Sequence, residues 1–239
     1  MQLKILGSSS AGNCYILENN TSALIIEAGV KFSDVQRKLK FNIRKIVGVI
    51  VSHEHGDHAK YLHEFKRAGI PVFQSQECET GTKTKSNQIL KHLEKIKIGE
   101  FGIIPFELNH DVLCYGFYIY HDEMEGLVFI TDTSFVDECY RFKHVKTFMI
   151  ECNYDDQTIF NNQLDHSDGF DYSRKAKERH LSLESAADFL SRQDKKITEQ
   201  IILLHPSSGN CNQELSLNLI KSKFGIKTDF AKKKQTYEL

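Results

Sequence analysis

Residues 53–58 read HEHGDH and follow directly on the apolar residues 49–51, and this run constrains the chain more than any other feature. It holds four potential metal ligands within six residues, namely His53, His55, Asp57 and His58. Imidazoles at alternate positions can reach one divalent ion, while the following Asp-His pair turns to a second ion if the segment bends as a loop. A solvated polar loop would explain the charge of the run but not the further ligands described below. The run predicts a hydrolase with two metal ions, because paired ions activate water.

Five apolar stretches of the chain end at an acid or a histidine. They occupy residues 49–51, 106–109, 128–131, 148–150 and 201–204, and they lead to His53, His110, Asp132, Glu151 and His205. A buried strand that ends in an ionisable residue places it at the edge of a sheet, where it is held rigidly and a ligand can reach it. Each of these residues alone is better explained as structural, but five such ends together favour one shared site.

Length and composition fit one globular domain spanning residues 1–239. Apolar residues make up 40% and charged residues 26% of the chain, which excludes a disordered or fibrous protein. The net charge of −1 gives no overall positive field, so binding of nucleic acid would need a local patch. A basic C-terminal tail offers one, although a tail that only keeps the protein in solution fits as well. Its lysines are Lys221, Lys223, Lys227, Lys232, Lys233 and Lys234.

The six cysteines contain no CxxC pair, and the first residues do not form the apolar core of a signal peptide. A helix that spans a bilayer needs about 20 apolar residues, and the sequence has no such run. We therefore expect a cytoplasmic protein in a reducing compartment, with no membrane partner.

Alternating apolar segments and turn residues predict a sheet-rich α/β protein. We expect strands at residues 3–6, 14–17, 23–27, 102–108, 114–120, 127–131, 147–150 and 201–204. We expect helices after an N-cap at Ser33, at residues 61–68, from His180 through 182–192 with Ser182 as a cap, and at residues 213–224.

The polar residues 155–179 form a further segment, which we interpret as a mobile flap beside the site. Phe170 and Tyr172 could stack on bases there, and the basic residues could contact phosphates, but a solvated loop is an equal interpretation.

The order of the ligands resembles that of the metallo-β-lactamase-fold superfamily: HxHxDH at residues 53–58, a lone histidine, a lone aspartate and a final histidine. The resemblance implies an αββα four-layer sandwich, in which two mixed sheets are flanked by helices. It also implies that one ion binds His53, His55 and His110, that a second binds Asp57, His58 and His205, and that Asp132 bridges them. The nitrogen-rich ligand set favours zinc and leaves manganese or iron open. Glu54 lies between two ligands, and we expect it to face solvent or support the ligands.

Further motifs resemble those of the YycJ-like (WalJ-like) group of DNA exonucleases. Residues 7–13 read GSSSAGN, like the opening of that group, and Glu151-Cys152-Asn153 and His180-Leu181-Ser182 are similar to its EAN and HLS elements. The tRNA 3′-processing endonuclease carries a comparable Glu and His pair. This resemblance implies a proton relay in which Glu151 orients His180, and His180 acts as the acid to the leaving oxygen.

The chain also departs from that group's pattern. The asparagine expected after His180-Leu181-Ser182 is missing, and Pro206 interrupts the motif that begins at His205. These departures weaken the assignment of a substrate. Only 72 residues separate Asp132 from His205, which is too few for the inserted clamp of the β-CASP nucleases.

The function that fits these residues best is metal-dependent phosphodiester hydrolysis by a metal-bound hydroxide, in a DNA exonuclease or a related nuclease. We assign catalytic roles to Asp57, Glu151 and His180. A nucleic acid, with DNA favoured over RNA, or a nucleotide would be the substrate. One alternative is a hydrolase of a small molecule such as a cyclic or oligonucleotide, thioester or lactam. A metal-bearing interaction protein is a third interpretation, although the complete ligand set argues against it.

Overall fold

The computed structural model describes residues 1–165, residue 174 and residues 176–239. In this part of the chain the strands form two seven-stranded sheets. The first sheet contains β1 (Gln2–Gly7), β2 (Cys14–Glu18), β3 (Ala23–Ile26), β4 (Ile46–Ile50), β5 (Val72–Gln74), β6 (Gln88–Ile89) and β14 (Thr236–Glu238). The second contains β7 (Ile96–Ile98), β8 (Phe101–Leu108), β9 (Cys114–His121), β10 (Glu125–Ile130), β11 (Val145–Glu151), β12 (Gln200–Leu204) and β13 (Lys227–Phe230).

Both sheets are mixed, and they follow the same plan. The first has the order β14-β1-β2-β3-β4-β5-β6 and the second the order β7-β8-β9-β10-β11-β12-β13. In the first sheet, β14 to β3 are antiparallel neighbours and β3 to β6 are parallel. In the second sheet, β7 to β10 are antiparallel and β10 to β13 are parallel. Each sheet thus has a parallel half, whose strands end at one edge.

Helices cover the outer faces of the two sheets. The described helices are α1 (Phe32–Lys38), α2 (Gly56–Ala59), α3 (Leu62–Arg67), α4 (Gln76–Thr82), α5 (Asp156–Asp165), α6 (Leu183–Ser191) and α7 (Gln213–Phe224). Val35 of α1 and Phe65 of α3 pack on the first sheet, and Leu190 of α6 and Ile220 of α7 pack on the second.

The strands alternate between two layers of core, as the period of two residues requires. In β12, Ile202 and Leu204 belong to the core between the sheets, whereas Ile201 and Leu203 pack in the outer layer with α6 and α7. Burying one such side chain contributes about 1.5–3 kcal/mol. The predicted αββα four-layer sandwich is therefore confirmed.

Two helix starts differ from their predictions. Helix α1 begins at Phe32 with Lys31 as its N-cap residue, so Ser33 is not the cap. The carboxylate of Glu64 accepts a hydrogen bond from the Phe32 amide at 2.9 Å, which satisfies a group that a capping serine would otherwise satisfy. His180 does not begin α6, since that helix starts at Leu183 and is capped by Ser182, as predicted.

The predicted basic tail is wrong in its structure, because residues 221–239 contain the end of α7 and the paired strands β13 and β14. Part of the predicted flap is helical: α5 packs through Ile159 against Tyr154 and Ala176. Residues 166–173 and 175 of the flap, including Phe170 and Tyr172, lie outside the described residues. None of the described helices is both long and apolar enough to cross a bilayer.

Candidate metal centre

The predicted ligands meet at the edge where the parallel strands of both sheets end. His53 follows β4 and is carried by the first sheet, while Asp132 follows β10 and His205 follows β12 in the second. His110 reaches the same place from the end of the antiparallel strand β8. The site therefore lies on the seam between the two sheets.

His53, His55 and His110 form the first cluster, in which their candidate ligand atoms lie within 4.8 Å of one another. Nε2 of His110 is 3.2 Å from Nδ1 of His55. Nδ1 of His53 is 2.8 Å from the Ser52 hydroxyl, and Nε2, on the other side of its ring, is buried without a hydrogen-bond partner in the described residues. These three nitrogens have the chemistry and the spacing of an ion site.

Asp57, His58, Asp132 and His205 form the second cluster. Nε2 of His58 lies 3.3 Å from Asp57 Oδ2 and 3.4 Å from Asp132 Oδ1, and Nε2 of His205 lies 3.4 Å from Asp57 Oδ2. Asp132 belongs also to a third group with Glu151, His180 and His205. Asp132 thus lies between the second cluster and the predicted proton relay.

The electrostatics of the second cluster favour a cation. Burial opposes protonation of His205, yet the carboxylates of Asp132, Asp57 and Glu151 raise its pKa to about 10. Burial also raises the pKa of Asp132, but His58 and His205 outweigh it and hold that pKa well below its usual value. A divalent ion would supply the positive charge that these carboxylates stabilise, and its binding would require the histidines to be deprotonated.

The first cluster differs, because burial and the neighbouring His58 lower the pKa of His53 well below its usual value. Neutral imidazole is the form that binds metal. The buried Nε2 atom of His53 lacks a hydrogen-bond partner among the described residues, at a cost of about 1–3 kcal/mol that an ion would remove. The residues of both clusters fit two divalent ions, and they are consistent with a dinuclear metal site.

The run that holds four of these ligands is not a loop throughout. His53 and His55 precede α2, whereas Asp57 and His58 lie on this single helical turn. The turn directs both side chains into the second cluster while the extended residues before it reach the first. The expectation that the whole run bends as a loop is therefore corrected.

Glu151 and His180 lie next to the second cluster. Nδ1 of His180 is 2.7 Å from Glu151 Oε1, and the other oxygen of Glu151 accepts hydrogen bonds from the amides of Thr133 (3.1 Å) and Leu181 (3.0 Å). Burial lowers and Glu151 raises the pKa of His180, and the net shift is upward. His180 also approaches Asp132, with 3.9 Å between its Nδ1 and Oδ2 of the carboxylate. The predicted pair is thus brought together at the site.

The fold and the sequence of the chain are similar to those of known proteins. The model of the metallo-beta-lactamase superfamily matches residues 9–72. The structure of YhfI from Bacillus subtilis, a metallo-beta-lactamase fold protein, matches with a TM-score of 0.72 over 99% of both chains at 15% identity. The chain has the metallo-β-lactamase fold.

Two curated proteins are similar to the chain in sequence. Exodeoxyribonuclease YycJ of Bacillus anthracis is 26% identical over 168 residues, which cover 65% of the chain and 64% of YycJ, a little under two thirds of its length. Exodeoxyribonuclease WalJ of Streptococcus pneumoniae is 25% identical over 252 aligned residues, which cover 95% of the chain and 91% of WalJ. The predicted resemblance to the YycJ/WalJ group is confirmed.

Several residues that support this metallo-β-lactamase-fold site were missed in the sequence. Asn13 donates from its side chain to Asp57 Oδ2 at 3.2 Å, and its backbone amide donates to the Asp57 carbonyl at 2.7 Å. The carboxylate of Glu27 is 3.5 Å from Nδ1 of His58. Asn13 ends the GSSSAGN motif and Glu27 follows an apolar strand, so both carried a signal. Such partners fix the orientation of the ligands.

Asp111 was also missed, although it directly follows His110. Its Oδ1 is 3.1 Å from Nε2 of His110, and its Oδ2 is 2.9 Å from the guanidinium of Arg179. Glu54, in contrast, directs its carboxylate to Gly81 of α4. Glu54 is not in any of the described metal-ligand groups, in agreement with its exclusion from the predicted ligands.

A cavity of about 400 Å³ opens beside the relay. Two serine-rich loops, which follow β1 and β12, form part of its wall, and His180 forms another part. Its lining includes Ser9, Ser10, Arg179, His180, Ser207 and Asn210. The cavity is therefore placed to hold a polar molecule beside His180 and next to the second cluster.

Proposed function

We propose that this protein is a dinuclear metal-dependent phosphodiesterase that removes nucleotides from the end of a DNA strand. The observation that carries the proposal is the buried Glu151 bonded to His180 in the wall of the cavity, next to the second ligand cluster. A thiolate leaves a thioester with little acid assistance, whereas the alkoxide of a sugar needs a proton. The relay therefore favours a phosphodiester over a thioester.

His53, His55 and His110 would hold one ion, and Asp57, His58 and His205 the other, with Asp132 between them. Two divalent ions, with zinc favoured by the ligand chemistry, would activate water near neutral pH and neutralise charge on the phosphate. Asp57 contributes to catalysis by holding the second ion.

His180 would give its proton to the leaving oxygen. Its Nδ1 is directed to Glu151, so the opposite nitrogen of the ring is the one that can reach a substrate. Glu151 is buried and bonded to two backbone amides, so it cannot turn away from the ring. Burial opposes its ionisation, but the neighbouring His180 holds the pKa of Glu151 below its usual value, and the anion stabilises a protonated His180.

The substrate class follows from the cavity and from the two relatives. YycJ and WalJ are both named exodeoxyribonucleases. Arg179 lines the cavity beside His180, and its guanidinium could exchange Asp111 for a phosphate, since arginine binds both groups through paired hydrogen bonds. We propose DNA as the polymer and the cytoplasm, where the six cysteines stay reduced, as the location.

The decisive experiment is hydrolysis of end-labelled DNA and RNA, single- and double-stranded, by the metal-loaded protein, beside cyclic nucleotides and dinucleotides. We expect stepwise loss of the label from DNA. Asp132→Ala and His180→Ala should each lower the rate at least about a hundredfold, since general acid catalysis alone contributes about 10²–10⁴. The metal content of each variant, measured by mass spectrometry, should fall in Asp132→Ala only.

His63→Ala is the matched control, because His63 is exposed on α3 and belongs to neither cluster. It should cleave DNA as the parent protein does. Cleavage of small nucleotides alone would contradict the nuclease and favour nucleotide hydrolysis. Loss of metal from His180→Ala would show that His180 is a ligand and not the acid.

A further inference from the structure

The six lysines near the C-terminus lie at two opposite edges of the fold. Lys227 begins β13 and pairs with Gln200, the first residue of β12, so the end of α7 and the start of β13 lie at the edge remote from the site. Lys221, Lys223 and Lys227 belong to this remote edge and are exposed. The two edges are separated by the length of β12, about 13 Å at 3.3 Å per residue.

Lys232, Lys233 and Lys234 lie at the other edge, in a turn that crosses from the second sheet to the first. The Gln235 amide donates to the Lys232 carbonyl at 3.0 Å, and the Gln235 side chain accepts from the Lys232 amide at 3.2 Å. We call residues 232–235 the lysine turn. Its three lysines are exposed.

The strands on both sides place the lysine turn beside the cavity. The Ala231 amide donates to Leu203 at 2.9 Å, and Lys234 and Gln235 pair with Ile5 at 2.9 and 3.0 Å. From Leu203 and from Ile5 the chain continues for only a few residues, a distance of about 10 Å, before it enters the serine-rich loops. The amide of His205 bonds to the Ser8 hydroxyl at 3.0 Å, which joins these two loops.

The charge of the lysine turn is not neutralised locally. In the described part of the chain, no carboxylate lies within ion-pair distance of Lys232, Lys233 or Lys234. Lys38 adds a fourth positive charge, since its ammonium is 3.4 Å from the carbonyl of Lys234. Asp34 pairs with Arg37, and Glu238 accepts a hydrogen bond from Gln2, so neither forms an ion pair with the lysine turn.

The backbone of the turn is strained at one of these lysines. Lys234 has a φ of 75°, in the left-handed region, which is unfavourable for a residue with a Cβ. Glycine or asparagine would adopt this conformation more easily. The hydrogen bonds of the turn hold the Lys234 backbone in this conformation.

We propose that the lysine turn binds the backbone phosphates of a DNA strand whose end occupies the cavity. The inference rests on the proposed function and deepens it, because it assigns the path of the polymer beyond the scissile bond. Phosphates carry one negative charge per nucleotide, and exposed lysines bind them without regard to sequence. Such a surface explains how a protein with a net charge of −1 could hold a polyanion.

The test compares two triple variants that remove the same charge. One replaces Lys232, Lys233 and Lys234 by glutamine, and the other replaces Lys221, Lys223 and Lys227. Binding of a fluorescently labelled 20-nucleotide single strand is measured by anisotropy from about 50 to 200 mM salt, in the metal-loaded protein carrying His180→Ala. Hydrolysis of strands of increasing length is measured in parallel with His180 intact, and thermal unfolding checks the fold.

The lysine-turn variant should bind the strand at least about tenfold more weakly, and its salt slope should fall by about 2 for three lost contacts. Its defect in hydrolysis should grow with strand length. The remote-edge variant should match the parent protein in both assays. Equal losses of binding in the two variants, or no loss in the lysine-turn variant, would overturn the proposed role of the lysine turn, while the proposed function stands. If the parent protein hydrolyses no nucleic acid, both proposals fail.

Discussion

Glu151 joins four groups of the candidate site through one buried carboxylate. Its two oxygens receive the Thr133 and Leu181 amides and the rings of His180 and, at 3.3 Å, His205. Thr133 follows β10, His180 and Leu181 precede α6, and His205 follows β12, so the carboxylate ties one candidate ligand and the candidate acid to the same point. A residue in this position sets the orientation of the His180 ring.

The role of the relay predicts a dependence on the leaving group. With a p-nitrophenyl phosphodiester the leaving group is already acidic, so His180→Ala should lose less than about tenfold in kcat. With a DNA substrate the loss should reach about 10²–10⁴-fold, because a sugar alkoxide needs the proton. A ratio of rates for the two substrates measures the effect directly.

Glu151→Gln should show the same discrimination, since its amide oxygen can accept from the Thr133 and Leu181 amides while its NH2 group faces Nδ1 of His180 and cannot stabilise a protonated ring. Metal content, measured on the same samples, should be unchanged for His180→Ala. Equal losses on both phosphodiesters would contradict an acid role and indicate a structural one.

At the scale of elements, the site depends on how closely three chain segments approach each other. The loop after β1, the link after β3 and the turn α2 are joined by backbone hydrogen bonds from Asn13 to Asp57, from Gly29 to Asn13 and from Ala28 to His58, all between 2.7 and 2.9 Å. A Cβ on Gly29 would overlap the Asp57 carbonyl oxygen and crowd the Asn13 amide. The absence of a side chain at Gly29 therefore permits α2 to lie where its ligands face the second cluster.

Gly29→Ala should displace α2 and lower both metal content and stability, the latter by about 1–3 kcal/mol, because the overlapping atoms belong to the backbone and cannot rotate away. Metal analysis and thermal unfolding would measure the two effects. Gly56→Ala is the control in the same segment, since a Cβ there meets no atom within 4 Å. Similar losses of metal and stability in both variants would show that this segment tolerates no added side chain. The close approach of Gly29 to Asp57 would then not explain the effect of Gly29→Ala.

The sequence predicted elements with a strong pattern well and missed those fixed by distant contacts. Helix α7 begins and ends at the predicted residues, and the strands that lead to the site lie within a few residues of their predicted bounds. The short strands β5, β6, β7, β13 and β14 were missed, because two to four residues give little periodicity and pairing with a neighbour decides their conformation.

The candidate site could be anticipated for the same reason, since the ends of apolar strands are visible in the sequence. The predicted ligands do come together in the two clusters. The ion pair of Asp111 with Arg179 and the position of residues 232–234 beside the cavity could not be anticipated, because they depend on which loops become neighbours when the two sheets pack. Periodicity contains no information on that packing.

At the scale of the whole molecule, the candidate metal centre joins the two sheets. Each of the candidate clusters takes residues from the first sheet's segment 53–58 and from the loops of the second sheet. A bound ion would therefore resist separation of the sheets, and its binding energy would add to the stability of the folded chain.

Removal of metal with a chelator should lower the unfolding temperature by about 5–10 °C. An ion at a hundred times its dissociation constant contributes about 2.7 kcal/mol, and each kcal/mol shifts a protein of this size by about 2–4 °C. Calorimetry with and without chelator measures the shift. Asp132→Ala should show a smaller one, and a chelator without effect on the parent protein would contradict an ion shared by both sheets.

The spread of the ligands along the chain has a consequence for synthesis. The candidate ligands extend from His53 to His205, and the parallel strands that deliver them pair only through long crossover connections. During translation, a chain that has emerged only as far as β9 contains His53, His55, Asp57, His58 and His110, but it lacks the residues that complete the second cluster. Pairing over such sequence separations is slow. Stable binding of both ions would therefore require that the second half of the chain has been synthesised and has packed against the first half. Metal would then bind late in the maturation of the protein.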